Sequence, residues 1–163
     1  MTSLPRDILM HLDVQIESAR RLLGLILAQG ASIRARDVEG VIARLAEVKN
    51  EMALRTRLEG ERTDLLVRAG TALAVPAAAV TLEGMTSLMA EGDADAARIR
   101  SAELRGLLDE IAREHGINRA LMRQELAFLD HLVRLMGQEP EAGYQPTGPA
   151  PTQASHRVLD LQA

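Results

Sequence analysis

Apolar residues recur along this chain in alternating steps of three and four, the spacing of one face of an α-helix rather than of a strand. In the first segment, from about Pro5 to the region of Gln29, Leu9, Leu12, Ile16, Ala19, Leu23 and Ile26 form one unbroken apolar stripe. Pro5 suits a first-turn position and Ser3 is available as a cap. The pattern weakens from Gly30 to Arg36, and Asp37 then offers a capping carboxylate to a second helix. Val38, Val41, Leu45, Val48 and Met52 repeat the seam there. Past Met52 the same register meets Arg55, Glu59 and Arg62, while apolar residues resume one phase over at Leu54, Leu58 and Leu65. A helix that changes packing partner inside an antiparallel bundle produces such a stutter. Gly70 supplies a stop signal.

Thr71 to Gly92 reads as a connection: Pro76 breaks the chain, and Thr81 can cap a short helix holding Leu82, Met85, Leu88 and Met89. Asp93 or Asp95 can cap the last helix, which runs to Met136. Its seam passes through Leu104, Leu108, Ile111, His115, Asn118, Met122, Glu125, Leu129, Leu132 and Met136, apolar with polar interruptions in the middle. A helix of this length, about 60 Å, needs partners along its side. The expected fold is all-α: a long antiparallel helical hairpin or bundle of three long helices and one short one, with coiled-coil-like packing. Residues 1–136 form the helical domain. Residues 137–163, rich in Pro and Gly, form a C-terminal tail expected to be flexible and disordered, with Pro140, Pro146, Pro149 and Pro151 denying it a packed core.

Composition narrows the possibilities further. With 163 residues the chain suits one domain of modest core. Phe128 and Tyr144 are its only aromatic residues, so the interior must be built from Leu, Ile, Val, Ala and Met, which favours helix-on-helix packing. The absence of Cys removes disulfides, thiolate metal sites and thiol nucleophiles. Met1 to Arg6 lacks the charged-then-apolar pattern of an export signal, and a cytoplasmic location is expected. The longest apolar stretches, Leu22 to Ala28 and Ala72 to Val80, fall short of the ~20 residues that span a membrane. A net charge of −4 speaks against a nucleic-acid partner, and Arg119 and Arg123 are interspersed with Glu114, Glu125 and Asp130. No phosphate loop, zinc-protease helix or nucleophile elbow occurs, and His11, His115, His131 and His156 share no metal-ligand spacing. Neither catalysis nor a metal or other cofactor is expected.

The order of parts carries a resemblance. Lys49 late in the second seam, Gly70, the short Thr81-Leu82-Glu83 helix and Asn118 followed by Leu121-Met122 precede Gly143-Tyr144, Gly148 and the terminal Leu159-Asp160-Leu161-Gln162-Ala163. Over nearly its whole length the chain resembles the FlgN family of flagellar export chaperones. Two Asn residues three apart are common in that family's last helix; here His115 holds the first place and Asn118 keeps the second. The ending departs from the family's Leu/Ile-Asp-Val-Lys-Ala type at Leu161-Gln162.

The resemblance implies a cytoplasmic protein that binds the terminal helical segments of hook-associated (hook-filament junction) proteins. It would keep them from premature self-association and deliver them to the flagellar type III export gate. The expected client-binding residues are Asn118, Leu121, Met122, Leu126, Leu129, Val133 and Met136, an apolar strip on which an amphipathic helix can lie. Met at two of these places lets the strip adapt to more than one client. As ordinary residues, the Leu and Met positions read equally as core, and Asn118 as a polar group fixing register. Tyr144 with Val158, Leu159 and Leu161 would be docking anchors of the tail for the gate or the client, or else unpacked side chains. The competing function is a structural coiled-coil adaptor that self-assembles through the same seams. The stoichiometry and oligomeric state are open.

Overall fold

In the computed structural model, residues 3–137 are described. Helix α1 spans Leu4–Arg34, α2 Val38–Leu73, α3 Leu82–Thr86 and α4 Glu91–Gly137, and a 3-10 turn at Ala77–Ala79 precedes α3. Among the described residues the architecture is all-α, three long helices and one short, as the spacing predicts.

Two of the expected caps form. Asp37 Oδ1 accepts from the Gly40 N–H at 2.9 Å to open α2, and Thr81 Oγ1 accepts from the Gly84 N–H at 3.1 Å to open α3. Ser3 holds the cap position of α1 without a side-chain bond, with Pro in the first turn. The boundaries run longer than the sequence suggests: α1 passes through Gly30 to Arg34, α2 passes through Gly70 to Leu73, and α4 starts at Glu91 rather than beyond Asp93 or Asp95. Both glycines allow close approach, and Gly70 also belongs to the turn that ends α2, its carbonyl accepting from the Val75 N–H at 3.0 Å. A Cβ on Gly30 would lie 2.5 Å from Asn118 Oδ1, and one on Gly70 would lie 2.7 Å from the Val75 carbonyl oxygen. Ala74, at φ 56°, makes the left-handed turn that ends α2.

Cross-helix bonds fix the directions. Asp7 pairs with Arg68 at 2.7 Å and Ser18 donates to Glu51 at 2.6 Å, so α2 runs antiparallel to α1. Asp13 pairs with Arg100 and Arg36 with Glu125, so α4 runs parallel to α1. The connection containing α3 therefore returns the chain across the end of the bundle at which α1 begins. α1 is the central element: α2 and α4 both pack along it, and they hardly pack against each other. Flanked on two sides, α1 buries a band wider than a single stripe, with Ile8, Ile16, Ala19, Leu22, Ile26 and Ile33 joined by the polar Gln15, Ser18 and Gln29. The predicted positions Leu9, Leu12 and Leu23 are only half-buried, at the edges of that band. Leu58 and Ala69 of α2 and Ala94 and Ala97 of α4 complete the interior. Full burial of each large aliphatic side chain contributes about 1.5–3 kcal/mol.

Candidate functional site

The helices are unequal: α4 has 47 residues and α1 has 31. Because α4 starts level with the beginning of α1, its last turns outrun the bundle. The final ties occur where α1 turns into α2: Arg36 Nε stands 3.2 Å from Glu125 Oε2, and its guanidinium lies over the Phe128 ring at 5.7 Å. From Leu126 to Gly137, about 18 Å of helix, every residue is exposed.

That projecting end is apolar. Leu126 is 62 % exposed, Leu129 54 %, Val133 62 % and Met136 72 %, and Met122 behind them is 41 % exposed. These residues follow one another at four- and three-residue steps, a continuous stripe on one face. Leu121 is half-buried at its inner edge. Phe128 and Leu135 add apolar surface on the neighbouring face. Asn118 occupies a different environment. It is buried, and its Nδ2 donates to the Ile26 carbonyl at 2.8 Å, so it bonds across the bundle and sets the register of α4 on α1. Six of the seven nominated residues thus share an accessible or half-accessible face, and the seventh anchors the face to the bundle.

A second wall escaped the reading of the sequence. The first half of α2 carries a regular apolar seam, yet Val38, Ile42, Leu45 and Met52 are exposed, whereas Val41 and Val48 are half-buried against α1. The seam spacing alone does not say that α1 covers only one edge of it. α2 and α4, which hardly pack against each other, leave a gap between them. At the other end of that gap, Arg55, Glu59, Arg62, Leu65 and Leu66 of α2 line a cavity together with Ser101, Leu104 and Leu108 of α4. Stepping back along α2 from Arg55 in the same helical register leads to Met52, Leu45 and Val38. Stepping forward along α4 from Leu108 leads to Met122 and Leu129. The residues that line the cavity thus continue in register into the exposed apolar residues of both helices, and Leu82 and Met85 of α3 complete its lining.

Arg55, Glu59 and Arg62 line the cavity, and further ion pairs tie α4 to α1. Arg20 bridges Glu17 and Glu103, and Arg100 pairs with Asp13 on the outer side. Burial alone would push the Glu51 carboxyl up, but hydrogen bonds from Ser18 and Arg21 and the charges of Arg21 and Arg55 hold it below the usual range. In the cavity His11 is pushed down by burial, partly opposed by the Glu61 carboxylate at 3.8 Å, and its Nε2 lies 3.2 Å from Gln15 Nε2. Among the described residues no group of three or more His, Asp or Glu is placed to hold a metal. None of the described helices is long and apolar enough to cross a membrane. Tyr144, Val158, Leu159 and Leu161 lie outside the described residues.

What this arrangement can do is receive an amphipathic helix: the exposed apolar residues of α2 and the projecting stripe of α4 offer it a surface. No curated protein and no solved structure matches the chain. The family described as FlgN protein matches residues 1–152, nearly the whole chain and all of the helical bundle. That family has the general role of a flagellar export chaperone and is not an enzyme family. The chain belongs to the FlgN family.

Proposed function

We propose that this protein is a cytoplasmic chaperone for hook-associated (hook-filament junction) proteins, and that it binds one of their amphipathic terminal helices along the groove between α2 and α4 and along the projecting end of α4. The observation that carries this reading is the run of exposed apolar residues from Leu126 to Met136 on a helix that outruns its own bundle. A monomer seldom leaves a contiguous apolar face of this kind in water without a partner for it.

The client helix contacts Leu121, Met122, Leu126, Leu129, Val133 and Met136 on one side, and Val38, Leu45 and Met52 on the other. Asn118 acts beneath them by holding α4 in register on α1. Each large side chain that passes from about half exposed to buried contributes roughly 1 kcal/mol, so the site gains affinity from many modest contacts and not from one anchor. Covering the client's apolar face blocks the helix pairing by which axial subunits assemble, and release at the export gate re-exposes it. In the tail, Tyr144 with Val158, Leu159 and Leu161 is the proposed docking element for gate or client.

The test is co-purification of this chain with the C-terminal segments of hook-associated proteins from the same genome, followed by calorimetry. Saturable binding that weakens on replacing Leu129 and Met136 by Ser supports the reading. Absence of binding, together with a stable homo-oligomer whose α4 end is protected, would replace it with a self-assembling coiled-coil adaptor.

A further inference from the structure

We propose that the α3 end of the groove is a carboxylate site, with Arg55 as its donor, and that it receives the carboxyl terminus of the bound helix. The inference rests on the client reading above and adds the direction in which the client lies. Its starting point is an anomaly: Arg55 Nη1 is buried and has no hydrogen-bond partner. Buried donors are almost always paired, and a charged one left unpaired calls for an explanation in terms of something it is built to meet.

Arg55 lines a cavity of about 280 Å³ between α1, α2, α3 and α4. Apart from it the lining is chiefly aliphatic, with Ile8, Leu12, Leu66, Met85 and Leu104 prominent. The other polar groups are already occupied or neutral. Arg62 Nη1 donates to Glu59 Oε2 at 2.9 Å, Gln15 is engaged with His11 at 3.2 Å, and burial disfavours the charged form of His11. Ser101 completes the polar lining. Although the Arg55 charge also reaches the Glu51 carboxylate, its Nη1 has no hydrogen-bond partner, and such a donor in a largely aliphatic chamber suits an anion carried on an apolar chain. A helix ending in an aliphatic residue brings both: its terminal carboxylate, and the last unpaired carbonyls at the negative end of its dipole.

The groove dictates the approach. A helix lying on the projecting end of α4 and advancing between α2 and α4 meets α3 as an end wall, with Arg55 one turn past Met52 on the α2 side. Its carboxyl terminus leads, so the bound helix runs antiparallel to α4. Arg is the residue type that binds a carboxylate in two-pronged fashion, and the pairing is charge-assisted.

Two measurements test this together. The first is calorimetry with a synthetic peptide of the last ~40 residues of a hook-associated protein, a length able to hold a helix that fills the groove. It is made as free acid and as C-terminal amide, and run against the wild type, Arg55→Gln and Arg55→Lys. The second needs no client: 15N spectra of the arginine side chains during titration with hexanoate and with hexanamide. The expected result is that the free acid binds about tenfold more tightly than the amide, that Arg55→Gln erases the difference, and that Arg55→Lys keeps part of it. Hexanoate shifts the resonance that Arg55→Gln removes, and hexanamide does not. Equal binding of acid and amide with a silent hexanoate titration overturns the proposal and assigns the Arg55 donor to water. Equal binding of acid and amide that still weakens on Arg55→Gln overturns the terminal assignment in favour of an acidic side chain. A hexanoate-specific shift with no peptide binding overturns the client reading while sustaining the carboxylate site.

Discussion

Leu58 and Leu129 carry the same side chain, and the structure predicts opposite consequences for removing it. Leu58 is 1 % exposed and Leu129 is 54 % exposed. Replacing Leu58 by Ala deletes buried methyl groups and opens a void, which lowers unfolding free energy by about 2–5 kcal/mol. Replacing Leu129 by Ser removes a side chain of which only about half is covered, beyond the end of the bundle. With a few tenths from the poorer helix propensity of Ser, the loss is about 1 kcal/mol or less. In client binding the ranking inverts. In the proposed complex the client covers the exposed half of Leu129, so Leu129→Ser is expected to weaken it by about 1 kcal/mol, roughly five- to tenfold. Met136 is 72 % exposed and sits two turns further on, far enough for its contribution to add independently. The Leu129→Ser, Met136→Ser double variant then loses up to about a hundredfold in affinity while its urea midpoint stays near that of the wild type. Denaturation followed by circular dichroism, with calorimetry on the hook-associated C-terminal segment, reads both quantities. If Leu129→Ser unfolds like Leu58→Ala, the stripe is interior in solution and the site is wrong. If the double variant binds undiminished, the client lies elsewhere.

Three further outcomes follow from the packing. Gly30→Ala destabilises the wild type by about 1–3 kcal/mol, because its Cβ would meet Asn118 Oδ1 at 2.5 Å and displace the bond to Ile26; in an Asn118→Ala background the same change stabilises by up to about 1 kcal/mol through helix propensity, and a double-mutant cycle in urea exposes the reversal. Ala74→Gly raises stability by about 1 kcal/mol, since Ala74 holds φ 56° at the end of α2, and an unchanged melting temperature would refute the assigned strain. Burial lowers the His11 pKa below its ordinary 6.5, with the Glu61 carboxylate opposing part of the effect. The unfolded chain therefore takes up this proton at higher pH than the folded one. The contribution of His11 is full above 6.5 and declines as the pH falls through that value towards the folded pKa, and His11→Gln flattens this portion of a stability profile measured by thermal melts.

Much of the fold was legible because helix periodicity survives in local sequence. The seams of α1, α2 and α4 and the caps at Asp37 and Thr81 depend on residues three or four apart. Gly30 and Gly70 misled for the opposite reason. Locally each is a helix terminator, but Gly30 owes its identity to Asn118, across the bundle and far away in sequence, while Gly70 lies just inside the end of α2 and meets the Val75 carbonyl only five residues on. The apolar stripe on α4 was legible as a stripe and not as a surface. Whether Leu126 or Val133 faces protein or water depends on how far the neighbouring helix extends, and that is set by where α1 stops, nearly a hundred residues earlier. The outward edge of the α2 seam at Val38, Leu45 and Met52 was hidden for the same reason, as was the Arg55 Nη1 without a hydrogen-bond partner.

The length mismatch between α1 and α4 also bears on how capture and stability are kept apart. The bonds that hold the bundle together lie along α1: Asp7 to Arg68 and Ser18 to Glu51 on one flank, Asn118 to Ile26 and Arg36 to Glu125 on the other. None of them involves a residue beyond Glu125 of α4. Apart from Phe128 beneath the Arg36 guanidinium, the projecting turns make none of these ties, so they can carry large apolar side chains without a matching penalty inside the bundle. Isolated helical turns are marginal in water, and this end persists because it continues a helix already fixed on α1. In the proposed complex a client helix would therefore meet a preformed face and lose less ordering entropy than against a disordered one. Truncating α4 after Glu125 should accordingly leave the bundle folded and abolish client binding, a separation of the two properties that a seam shared between core and site could not show.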